Sequence, residues 1–130
     1  MTRRWPLLVS RGTTLVLAAL GIAQAFLAGG FLSGYYDALT AHLYVGLALI
    51  LFALLQAVAV VFLVRSGAPR SMLGEGFGIA VLLVVQALLG SFRILWLHVP
   101  LGVVMVIGLV HLASSVWKMP QATEVSVETA

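Results

Sequence analysis

The chain has 130 residues, of which 62% are hydrophobic and 8% charged, and its mean hydropathy is +1.16. A single chain this apolar cannot cover itself with enough polar surface to be a soluble domain, so its solvent is a lipid bilayer. The formal net charge of +3 comes from seven Lys and Arg against four acids, too sparse a set for a nucleic-acid surface; the lack of cysteine excludes disulfides, thiolate metal sites and thiol catalysis.

In chain order, Arg3, Arg4 and Arg11 precede an uncharged run from Gly12 to Gly34, which predicts a first spanning helix over about 12–33. The run continues past Ala23-Gln-Ala25, so it reads as a retained span rather than a cleaved signal peptide. Phe31 to Tyr36 forms an interfacial connection, and Asp37 is placed as the N-cap of a second helix over about 38–64. Arg65-Ser-Gly-Ala-Pro-Arg70 breaks the pattern as a short basic loop. A third helix over about 74–93 and a fourth over about 97–117 follow, with Pro100 expected in the first turn of the last, where its missing N–H does little harm. Residues 118–130 read as a disordered cytoplasmic tail.

The fold class expected is therefore all-α: an integral membrane four-helix bundle in one domain, residues 1–117, surrounded by the bilayer. Four spans put both termini and the 65–75 loop on one face, where Arg3, Arg4, Arg11, Arg65, Arg70 and Lys118 collect. By the positive-inside rule that face is cytoplasmic, giving a multi-pass protein of the cell membrane. Tyr35, Tyr36 and Trp96 would line the outer interface, and Trp5 and Trp117 the inner one.

Two stretches repeat. Gln24-Ala-Phe-Leu-Ala-Gly-Gly-Phe31 leads to His42-Leu-Tyr-Val-Gly46, and Gln86-Ala-Leu-Leu-Gly-Ser-Phe92 leads to His98-Val-Pro-Leu-Gly102. Each half is a glutamine-bearing helix followed by a histidine-bearing one, a duplicated helical hairpin. An axis along the membrane normal would bring His42 and His98 face to face at similar depth near the outer surface. Two neutral imidazoles on neighbouring helices are an axial pair for low-spin haem iron. Gly46 and Gly102, one turn deeper on the same faces, leave room for a porphyrin. Arg93 offers a cation to propionates, and Gln86, near the same stripe, a hydrogen bond to a ligand or its histidine.

His111 lies thirteen residues beyond His98, about 20 Å deeper and turned by about 220°. The matching places on helix 2 hold Leu55 and Gln56, so a second bis-histidine site is not completed. A polar contact from Gln56 to His111, or an oligomer interface, is expected there ahead of a second metal ligand.

Gln86-Ala-Leu-Leu-Gly90 on helix 3, with histidines on helices 2 and 4, resembles one four-helix half of the haem A synthase family over about Gln24 to His111. The resemblance implies a bundle binding haem b near the extracytoplasmic face, with His42 and His98 in the ligand positions. The family's glutamate before, and arginine after, its second-helix histidine are Leu39 and Leu43 here, and its outer-loop cysteine pair is absent. The reading of the sequence is thus a small bis-histidine cytochrome b with one haem b per chain, serving electron transfer or haem carriage rather than catalysis, as a homodimer or within a larger membrane redox complex. Its rivals are a haem-modifying enzyme acting as an oligomer and a non-haem accessory subunit.

Overall fold

A computed structural model describes residues 4–120. It contains four helices, α1 Arg4–Leu32, α2 Asp37–Arg65, α3 Ser71–Ser91 and α4 Leu95–Trp117. All four are long and apolar enough to cross a membrane. Arg3 and residues 121–130, and with them most of the expected tail, lie outside the described residues.

The helix boundaries correct the sequence reading in one consistent direction. α1 begins at Arg4 rather than near residue 12, and Pro6 is tolerated because it falls among the first four residues, whose N–H groups have no helical partner anyway. α3 begins at Ser71 rather than 74. Asp37 is the first helical residue and not the cap: Tyr36 holds that position and makes no side-chain capping bond, so the carboxylate acts on the helix dipole instead. α4 begins at Leu95, which puts Pro100 in the second turn and removes the N–H that would serve the Trp96 carbonyl.

The helices form a ring in which α1 touches α2 and α4, and α3 touches α2 and α4. α2 and α4 are therefore diagonal, facing each other across the centre. The even number of spans returns both described ends to one face. There Arg11 Nη2 donates to the carbonyls of Trp117 (3.0 Å) and Met119 (2.8 Å), and its guanidinium lies 5.2 Å from the centre of the Trp117 ring. A cation thus closes the carbonyl end of α4, which the helix dipole favours.

Two clusters fill the interior. Leu7, Val60, Leu63, Ala68, Met72, Leu112 and Val116 pack at the end that carries the termini, and Leu17, Leu49, Ala53, Ala80, Leu83, Met105 and Leu109 fill the middle. Gly21 admits Leu109, whose Cδ1 lies 2.7 Å from where a glycine Cβ would be. Gln56, 1% exposed, accepts a hydrogen bond from Thr13 and ties α2 to α1.

This packing stops short of the opposite end. No residue from 22 to 48 or from 84 to 104 is buried, so the third of the bundle that holds the repeated motifs adds no residue to the buried core.

Candidate functional site

The end without buried residues is where the histidines of the two hairpins meet. His42 comes from the first turns of α2 and His98 from the first turns of α4, so the diagonal arrangement brings their rings together across the centre. The ring centroids are 6.2 Å apart with 69° between the planes. Two imidazoles on one metal, with bonds of about 2 Å and each nitrogen about 1 Å from its ring centre, place those centres roughly 6 Å apart. Neither Nε2 makes a hydrogen bond among the described residues.

His98 is held from α3. Its Nδ1 lies 2.9 Å from the Gln86 carbonyl oxygen, a contact that requires the Nδ1–H tautomer and leaves the Nε2 lone pair free. Gln86 Nε2 in turn donates to the His98 carbonyl at 2.6 Å. Gly90, one turn beyond Gln86 on the same face, makes the approach possible: a Cβ there would stand 3.0 Å from His98 Cε1 and 3.3 Å from Nδ1. Sequence reasoning missed Gly90, although its i+4 spacing from Gln86 places both on one face.

The first half reproduces the parts without the bonds. His42 lies beside the Gln24 backbone, yet its Nδ1 is buried with no hydrogen-bond partner. Gln24 Oε1 and Gln86 Oε1 are likewise buried and unpartnered. Gly46 and Gly102 do provide room, but it is taken by glutamine amides: a Cβ would meet Gln24 Nε2 at 3.0 Å and Gln86 Nε2 at 2.8 Å, respectively.

Arg93 is exposed, in the turn between α3 and α4, with φ 57. All three interhelical turns close alike, by an N–H bonding to a carbonyl five residues back: Tyr35 to Gly30, Ala68 to Leu63 and Ile94 to Leu89. The residue with positive φ is glycine in the first two, Gly34 and Gly67, and Arg93 in the third. This closure favours glycine because a Cβ is crowded there.

His111 does not join the site. It is exposed, with only Ser115 Oγ at 3.5 Å, while Gln56 is engaged with Thr13. The expected contact between Gln56 and His111 is not formed, because the turn of α4 carries His111 outward. No group of three or more metal-binding side chains occurs among the described residues. Two open surface grooves, of about 430 Å³ beside Arg4, Trp5, Leu7, Leu8 and Arg11 and about 400 Å³ beside Ala25, Phe26, Gly29, Gly30 and Ser33, lie apart from the histidine pair.

Comparison with protein families, curated proteins and solved structures found no match.

Proposed function

We propose that this chain is a small integral membrane cytochrome b that holds one haem b between His42 and His98, near the face opposite its termini. The observation that carries the reading is the pair itself: two imidazoles on diagonal helices, at a spacing suited to one metal, in the part of the bundle without a packed core. Orphaned buried atoms add to it, since His42 Nδ1, Gln24 Oε1 and Gln86 Oε1 have no partners within the protein. Buried polar groups ordinarily do have partners.

In this reading His42 and His98 would hold the haem through their ring nitrogens, and Gln86 fixes the His98 tautomer through its carbonyl oxygen. Arg93 would offer its guanidinium to a haem carboxylate, which would account for an arginine in a backbone conformation suited to glycine. The haem supplies one-electron redox chemistry when bound. The chain supplies the ligands and a low-dielectric surround. Electron transfer or haem carriage to a membrane redox partner is the role this suits. The basic face carrying Arg4, Arg11, Arg65, Arg70 and Lys118 is cytoplasmic by the positive-inside rule, in the cell membrane. The resemblance to half of a haem A synthase fits the same site, but Leu39 and Leu43 provide no acid or base for modifying the haem.

Titrating the purified apoprotein with haemin tests the proposal. Saturation at one haem per chain, lost in the double variant His42→Ala/His98→Ala, is the expected result. Equal binding by wild type and double variant means adsorption to apolar surface and contradicts it.

A further inference from the structure

Resting on the haem reading above, we infer that the two ligands are unequal: His98 is the fixed one and His42 exchangeable, so that a neutral diatomic gas can take the place of His42 on the iron. The halves share a sequence pattern but not a hydrogen-bond pattern. His98 Nδ1 is engaged by the Gln86 carbonyl oxygen, and its own carbonyl by the Gln86 amide. His42 Nδ1 has neither a protein partner nor exposure to solvent.

The cause is visible in the repeat. Gln86-Ala-Leu-Leu-Gly90 places a glycine where the His98 ring lies against α3, and Gln24-Ala-Phe-Leu-Ala28 places Ala28 at the same register of α1. At Gly90 a methyl group would stand 3.0 Å from the ring, tighter than nine in ten real Cβ contacts. A methyl group already stands at that register of α1, and His42, though beside the Gln24 backbone, makes no well-formed hydrogen bond from Nδ1.

An imidazole that donates from Nδ1 is oriented and made more basic at Nε2, and loss of such a partner typically weakens metal affinity about 10–100-fold. The His42 bond to iron is then the weaker one. Exchange breaks the bond from His42 Nε2 to iron and forms one from the incoming ligand's donor atom. No electron is transferred and no proton moves.

Carbon monoxide with the dithionite-reduced, haem-loaded protein is the probe, alongside His42→Gly, His98→Gly and Ala28→Gly. His42→Gly is expected to retain haem through gel filtration as a five-coordinate species that binds carbon monoxide at once. His98→Gly is expected to hold haem at least about tenfold more weakly. Ala28→Gly, which needs no ligand to be removed, is expected to slow displacement by carbon monoxide severalfold, because His42 can now approach the Gln24 carbonyl. Equal haem loss in both histidine variants at unchanged helicity, or unchanged displacement in Ala28→Gly, overturns the inequality while leaving the cytochrome in place. A wild type that takes up no haem overturns both.

Discussion

Gly90→Val should abolish low-spin haem binding while leaving the helices intact. A single added carbon at Gly90 already stands 3.0 Å from His98 Cε1, 3.3 Å from Nδ1 and 3.5 Å from Nε2, and the ring cannot retreat without giving up its contact with the Gln86 carbonyl. Valine adds two more methyl groups in the same place. The ring must swing out of line with His42, and the iron loses a nitrogen. Gly90→Ala should have a milder effect in the same direction. Gly108→Ala is the control on α4, since nothing lies within 4 Å of its Cβ position and alanine improves helix propensity by about 1 kcal/mol. Absorption spectra and circular dichroism of the three haem-loaded variants check this. A wild-type spectrum from Gly90→Val means the His98 ring does not rest against Gly90.

Arg93→Gly should move stability and haem affinity in opposite directions. At φ 57, glycine in place of arginine relieves a backbone cost of about 1–2 kcal/mol, as Gly34 and Gly67 already do in the other two turns. The apoprotein should gain roughly that much stability. The haem-loaded protein should lose a charge-assisted hydrogen bond, worth about 1.5 kcal/mol or a factor of about ten in affinity, and its potential should fall because a positive charge near the iron favours the reduced form. Arg93→Lys should keep most of the potential and none of the backbone relief. Thermal unfolding of the apoprotein and haem titration separate the two effects. A variant that gains stability with unchanged haem affinity shows that Arg93 only reaches for the interface.

The number and order of the helices were legible from hydropathy, because each span is bounded by charge or by turn residues: Arg65 to Arg70 between α2 and α3, Phe92 and Arg93 between α3 and α4. Their first residues were not. Arg4, Ser71 and Leu95 lie at helix ends where polar and apolar residues mix, so hydropathy no longer marks the boundary. Asp37 drew the cap assignment because it is the residue type that caps, yet the chain enters α2 through Tyr36 in helical conformation.

Within the candidate site, the repeat foretold that His42 and His98 meet, since equal spacing from a helix start becomes equal depth. It did not foretell that Gln24 and Gln86 fill the space over Gly46 and Gly102. That depends on the rotation of each helix about its axis, for which a nearly uniform apolar surface gives little signal. The asymmetry between the halves was present in the letters, as Ala28 against Gly90, but acquires meaning only when His98 is seen resting on the glycine.

The most direct test of the central claim is a reduced-minus-oxidised absorption spectrum of the protein purified in detergent after expression with ample haem. The account predicts sharp low-spin b-type bands in the wild type, absent from His42→Ala/His98→Ala of equal helicity. A colourless wild type would contradict it and leave His42 and His98 as residues that join helices in a membrane subunit without haem.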